Sequence, residues 1–297
     1  MMTAGQDRTE PRSSELRPDD ASFDISDEAD VGALLHAEER HFWHRARNRF
    51  IRGKIEALGV RPGARVLELG CGAGCVSAEL ARAGYEVTGV DGHRSLLAVA
   101  CGRAPKARFL CHDLRRGLPD VERAAFDVVG LFDVIEHLDD PVQALADALH
   151  FAKPEGYVVG TVPALMSLWS SIDLHAGHKT RYSTRTLEVT LASLRGARVL
   201  EITPFFRSLV PLIWAQRRWI GRSSGAEPRD HASAAVHNLR VPPFPINAAF
   251  LAITTAEHAL GALLRAVPLP GASLWFTLRK DDSAWLGLDI RARMGRS

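Results

Sequence analysis

The chain has 297 residues, 46% hydrophobic and 24% charged, an ordinary globular balance with length enough for one large α/β domain with additions. A formal net charge of +2 gives no ground for nucleic-acid binding, and the four cysteines show neither CxxC spacing nor a secreted disulfide framework. No apolar run reaches the ~18–20 residues that cross a bilayer, and no signal-like segment opens the sequence, so a cytoplasmic protein with reduced thiols is expected.

Residues 1–30 are rich in Asp, Glu, Ser, Arg and Pro and read as a disordered tail. From about Asp30 to Leu58, Leu34, Leu35, Phe42, Trp43, Phe50, Ile51, Ile55 and Leu58 recur at helical steps, and Arg61-Pro62-Gly63 breaks the helix. Strand and helix signals then alternate. Strands are expected at Arg65–Leu69, Glu86–Val90, Arg108–Cys111, Phe126–Phe132 and Tyr157–Val162. Helices are expected over Gly74–Ala83, Ser95–Arg103 and Pro141–Ala152, with a turn at Lys153–Gly156. A helix over Ser183–Leu194, N-capped by Ser183, leads to a sixth strand at Arg198–Ile202, and a seventh falls at Ser273–Leu278.

This rhythm predicts an α/β fold: a doubly wound, seven-stranded, mostly parallel sheet with a helical insertion before the last strand. The units are a tail (1–30), a core with an N-terminal capping helix (31–206), the insertion (207–272), and the last strand with a C-terminal tail (273–297). Within the insertion, Ser208–Ile220 mixes apolar residues, tryptophans and arginines, and Ile246–Val267 is nearly apolar but interrupted by Glu257, His258 and Arg265. Such helices suit a lipophilic pocket's roof, a membrane surface, or a plain helical cap.

Val66–Gly74 is a buried strand running into a glycine-rich turn and a helix. The glycines allow a tight turn and close approach of a ligand. A dinucleotide site uses the same device, but G-x-G-x-x-G would want glycine where Cys75 stands. Glu68, two residues before Gly70, opposes a pyrophosphate and suits a cationic ligand. Asp91 ends the second strand, where its oxygens can accept both hydroxyls of a ribose, and Asp113 ends the third, where it can receive an exocyclic amine.

Here the sequence resembles the class I S-adenosylmethionine-dependent methyltransferases, in the broad group near the ubiquinone-type O-methyltransferases. The resemblance is carried by Val66–Gly74, Gly89-Val90-Asp91, His112-Asp113-Leu114, and Phe126–Val129 through Val134-Ile135-Glu136-His137-Leu138-Asp139-Asp140-Pro141. It implies S-adenosyl-L-methionine as cofactor, with Glu68, Gly70 and Gly72 around the methionine part. It also places Asp91 on ribose, Asp113 on adenine and the Phe132 carbonyl on the amino group. Gly92 departs from the pattern, since relatives often carry a bulky apolar residue there.

Methyl transfer from a sulfonium needs alignment, exclusion of water and, for a hydroxyl acceptor, a base. His137 follows the fourth strand and is the candidate base, and His178 is a second catalytic candidate, in the cluster His175, His178, Arg181 and Tyr182 after the fifth strand. Arg181 and Tyr182 are the candidate acceptor contacts. No chelating carboxylate pair stands out, so metal-independent transfer is expected. The acceptor is read as small and lipophilic, with O-methylation favoured, no nucleic acid, and peripheral membrane contact through the insertion. The oligomeric state is left open. Two other readings remain: a binding protein that keeps the cofactor without catalysis, and an NAD-dependent oxidoreductase.

Overall fold

The computed structural model describes residues 28–117, 119–215, 240–261 and 269–281. The expected tails, and the arginine-tryptophan segment around Arg217, Arg218 and Trp219, lie outside the described residues.

Seven strands form one sheet: β1 (Arg65–Leu69), β2 (Glu86–Asp91), β3 (Arg108–Cys111), β4 (Phe126–Phe132), β5 (Ala152–Pro163), β6 (Ala197–Phe205) and β7 (Ser273–Lys280). Their order is β3-β2-β1-β4-β5-β7-β6. Neighbours from β3 to β5 pair in parallel, while β7 runs antiparallel to both β5 and β6. A dinucleotide-binding sheet continues in parallel after its fifth strand. This one inserts a reversed strand, so the sheet does not support the oxidoreductase reading.

Both sheet faces are apolar and helix-covered, as buried parallel strands require. One face holds Leu67, Val129 and Phe276 against α5 (Pro141–Phe151) and α7 (Thr184–Ala192). The other packs Val66, Val128 and Trp275 against α2 (Phe42–Ala57) and α3 (Cys75–Arg82). Other helices among the described residues include α1 (Glu28–Arg40), α4 (Arg94–Arg103), the short α6 (Ser171–His175) and α8 (Phe244–Ala259) in the insertion.

Three boundaries differ from expectation for identifiable reasons. The single N-terminal helix is two, broken at His41, whose backbone is extended at φ −67°, ψ 131°. The side-chain amide of Asn247, from α8, accepts from Phe42 N–H and donates to the Arg40 carbonyl, each at 2.8 Å. A distant residue thus satisfies the groups that the break exposes. The expected turn at Lys153–Gly156 is absorbed into β5, where Glu155 takes φ 60° and the register with β4 shifts between Phe126 and Val128. The sixth strand runs on to Phe205 because it pairs with β7 as far as Ser273.

Candidate active site

The parallel strands end along one edge, and the loops beyond them carry the candidate residues. Gly70, Gly72 and Gly74 all have positive φ, at 76°, 52° and 74°. A Cβ on Gly70 would come within 2.6 Å of Val134, and one on Gly74 within 2.7 Å of Ala100, so both are fixed by close packing. Nothing lies within 4 Å of a Cβ at Gly72, which leaves open space there for a ligand against bare backbone.

Asp91 anchors this turn. Its carboxylate accepts from Gly72 N–H at 2.7 Å and from the His93 N–H at 2.9 Å, and His93 Nδ1 lies 2.9 Å away. The hydrogen bond to Asp91 raises the His93 pKa, against the lowering effect of burial. Asp113 caps a short turn at Leu114–Arg116 and forms a two-oxygen ion pair with Arg115, at 2.8 and 2.9 Å. It is therefore tied within its own loop, and adenine would have to share that carboxylate with Arg115.

Glu68 is 2% exposed, and Ser77 Oγ on α3 donates to it at 2.5 Å. Burial pushes its carboxyl up to about 8, although the Ser77 hydrogen bond and the Arg47 guanidinium pull the other way. Much of its geometry thus serves to tether α3 to β1.

At the end of β4, the Phe132 carbonyl accepts from Arg47 Nη2 at 3.2 Å, and Arg47 Nε lies 2.7 Å from the Asp133 carboxylate. Asp133 holds φ 57° and accepts from Thr161 Oγ1 at 2.9 Å. Arg47 belongs to the stretch His41–Arg49, whose alternating aromatics and arginines invite a nucleic-acid reading. In the structure Phe42 and Phe50 are buried and the Trp43 ring packs at a tilt against Phe206, 4.3 Å away, so these rings are engaged in packing.

His137 and His178, candidates from separate segments, come together with a third group, Glu136. The rings of His137 and His178 lie 4.8 Å apart. Glu136, fully buried, stands with them, and neither of its carboxylate oxygens has a hydrogen-bond partner. Burial, reinforced by the Asp133 charge, raises its pKa well above the usual range. Burial and the neighbouring His178 lower that of His137, which keeps its imidazole neutral near pH 7. Donor atoms of Glu136, His137 and His178 lie within 4.8 Å of one another, an arrangement able to hold a divalent ion and not anticipated by the expectation of metal-free transfer.

His178 is oriented by Asp173, which accepts from its Nδ1 at 2.9 Å and from Arg181 Nε at 2.6 Å. Arg181 also donates to the Ala164 carbonyl at 3.0 Å and is 8% exposed. Its guanidinium, expected to contact the acceptor, is engaged here by Asp173 and the Ala164 carbonyl. Tyr182 is 4% exposed and extends β5 through a bridge to Ala164. Burial and nearby Glu136 push its phenol up to about 12, so it can donate a hydrogen bond but does not ionise. The side chain of His175 lies outside the described residues.

The cysteines are free thiols. Cys75 lies 3.3 Å from Glu38 and 3.1 Å from Arg103, and burial pushes its thiol up to about 12. Arg103 Nη1 also bonds Glu38 at 2.6 Å and the Ala73 carbonyl at 3.0 Å, fastening α1 across the glycine turn.

The raised carboxyls predict a pH dependence. Folded Glu68 and Glu136 hold protons that the unfolded chain releases above about pH 4.5. Their contribution to stability is full below that value and is lost as pH rises through about 8, the folded pKa of Glu68. The thermal midpoint of the ligand-free protein should therefore fall between pH 5.5 and 8, and Glu136→Gln should flatten the slope. A midpoint that rises over this range would show that both groups are ionised.

Residues 42–202, just over half of the chain, match a family model described as a methyltransferase domain. The chain is 33% identical over 112 residues to a ubiquinone biosynthesis O-methyltransferase of Hahella chejuensis, covering 34% of this chain and 43% of that relative. It thus spans less than half the length of the curated relative it matches. Among solved structures, a candidate sarcosine dimethylglycine methyltransferase of Galdieria sulphuraria superimposes with a TM-score of 0.57 at 16% identity, covering 86% of this chain and 99% of that one. Phosphoethanolamine N-methyltransferase 2 of Haemonchus contortus, solved with S-adenosyl-L-methionine, gives 0.55 at 17% identity over 85% of this chain and 57% of that one. At these identities the structural likeness concerns the fold.

Proposed function

The chain belongs to the methyltransferase-domain family, and on that premise we propose that it moves a methyl group from S-adenosyl-L-methionine to an oxygen of a small, lipophilic acceptor. The observation that carries this reading is the turn at Gly70–Gly74: open backbone at Gly72, held in place by Asp91 at the end of β2. When bound, the cofactor supplies a methyl on a sulfonium, already attached to a good leaving group.

The protein's own residues then hold, orient and exclude water. Asp91 has acceptor capacity beyond its bonds to Gly72 and His93 and can take the ribose hydroxyls. The Phe132 carbonyl offers an acceptor to the amino group. Arg47, already on that carbonyl, is placed to meet the methionine carboxylate; the sequence alone gave no sign of this. Neutral His137 takes the acceptor's proton at a ring nitrogen, while Asp173 fixes the tautomer and ring plane of His178 next to it.

Lipophilicity of the acceptor is read from the largely apolar helix α8, which closes a small cavity of about 70 Å³ lined by Phe50, Phe205 and Phe206 together with Arg49, Arg207, Glu257 and His258. O-methylation is favoured because a hydroxyl is the acceptor that most needs a base. The division into a core at 31–206 and an acceptor-side insertion at 207–272 belongs to the same proposal, as does membrane contact on the insertion's side.

The test is calorimetric binding of S-adenosylhomocysteine, followed by turnover on a panel of phenolic and quinol acceptors. His137→Ala should lower turnover by about 10²–10⁴-fold with little change in cofactor affinity. Equal losses in both would make His137 structural. Tight cofactor binding without turnover on any acceptor would favour the non-catalytic reading, and turnover that depends on an added divalent metal would transfer the role of the base to an ion held by Glu136, His137 and His178.

A further inference from the structure

A second cavity, of about 420 Å³, lies among α1, α2, α3 and α4. None of Gly70, Gly72, Asp91, Asp113 or Phe132 lines it, so it is separate from the turn assigned to the cofactor. Its walls carry three carboxylates, and each has a cation. Arg103 meets Glu38 at 2.6 Å and Glu39 at 3.3 Å, while Arg82 and Arg52 meet Glu79 at 2.7 and 3.1 Å.

Arg45 and Arg49 differ. Both line the cavity, both are exposed, and neither pairs with a carboxylate among the described residues. They are surplus positive charge. Four residues apart on α2, they are neighbours on one helix face, and two planar guanidiniums so placed suit a phosphate, whose oxygens can accept from both forks.

Asn48 lies between them in sequence and lines the same cavity. It is 9% exposed, and its buried Oδ1 has no hydrogen-bond partner. A buried acceptor without a donor is costly, and a hydroxyl of an occupant would supply that donor. The volume is that of an ordinary small-molecule site, more than a lone phosphate ion fills. Because Asn48 sits below the surface, a compact molecule suits it better than a nucleic-acid strand.

The geometry points to a second ligand site that takes a small phosphate ester bearing free hydroxyls. The phosphate lies at Arg45 and Arg49, and a hydroxyl donates to Asn48 Oδ1. Such a site does not depend on the methyl-transfer reading. Arg103, in its wall, also donates to the Ala73 carbonyl at 3.0 Å, so the occupant is one residue removed from the glycine turn.

Calorimetric titration of the full chain with ribose 5-phosphate, inorganic phosphate and ribose tests this, in phosphate-free buffer of low ionic strength because salt screens exposed charge. Ribose 5-phosphate should bind with a Kd of about 1 mM or tighter, inorganic phosphate at least about tenfold more weakly, and ribose not measurably. Arg45→Ala/Arg49→Ala should weaken the ester about tenfold or more and leave affinity for S-adenosylhomocysteine unchanged. Arg49 also lines the cavity beneath α8 and Arg45 does not, so Arg45→Ala alone should shift binding in the same direction. Asn48→Ala should erase the preference for the ester over inorganic phosphate; if that variant misfolds, the arginine variants still decide.

No saturable binding of the ester, equal binding of ribose, unchanged binding in the double variant, or a preference that survives Asn48→Ala would overturn the inference. Displacement of the ester by S-adenosylhomocysteine would also overturn it, by merging the cavity with the cofactor site. So would binding of a single-stranded oligonucleotide that the double variant abolishes, which would give the arginines to nucleic acid.

Discussion

Asp173→Ala is expected to cost about 3–5 kcal/mol of folding stability, because it strands a buried guanidinium. The carboxylate is fully buried and receives Arg181 Nε at 2.6 Å, His178 Nδ1 at 2.9 Å and the Ser170 N–H at 2.9 Å. Burial alone would raise its pKa, but the His178 hydrogen bond and the Arg181 charge outweigh it and hold the group below the usual carboxylate range. A depressed acid stabilises the fold above its unfolded pKa, near 4, and that contribution is lost as pH falls below it. Wild type should therefore destabilise steeply in acid, and the variant much less so. Thermal and denaturant unfolding at pH 7 and at about pH 2.5 measure both effects, with a loss in thermal midpoint of roughly 10 °C at neutral pH. Asp173→Asn, which keeps an acceptor oxygen but not the charge, should fall between the two. A drop under about 1 kcal/mol for alanine would mean that Arg181 finds water or another partner.

Asp91→Ala is expected to weaken S-adenosylhomocysteine binding by about a hundredfold or more, equivalent to about 3 kcal/mol. Two losses combine: the bonds that hold Gly72 and His93 in place, at 2.7 and 2.9 Å, and the acceptor oxygens offered to ribose. Asp113→Ala should cost less, roughly tenfold, since Asp113 is already engaged by Arg115 and part of its charge is neutralised. Calorimetric titration of the two variants decides the ranking. Equal losses would show that Arg115 swings away on binding and leaves Asp113 to the adenine. No loss at Asp91 would place the cofactor elsewhere.

The sheet was legible in the sequence because its strands are short apolar runs punctuated by Gly, Pro and acids. β1, β3 and β4 occupy the expected residues, and α3 and α4 lie within one residue of expectation at each end. The break at His41 was not legible: no Gly or Pro marks it, and its exposed groups are satisfied by Asn247, 205 positions from Phe42. Glu136 reads as an ordinary loop acid in the sequence, yet it is fully buried. Arg181 reads as a contact for a ligand, but its guanidinium is consumed by Asp173.

Spacing within a few residues fixes local backbone geometry, so the sequence by itself determined the glycine turn, the acids at the ends of β2 and β3, and with them the nature of the cofactor to expect. Burial and pairing depend on residues brought together from far along the chain. Only the tertiary structure therefore decided that Arg47 reaches the end of β4, that Asp173 and His178 pair beside Glu136, and that Asn247 of α8 closes the break at His41. The methyl donor is written in local spacing; the acceptor's side of the molecule is written in which surfaces meet.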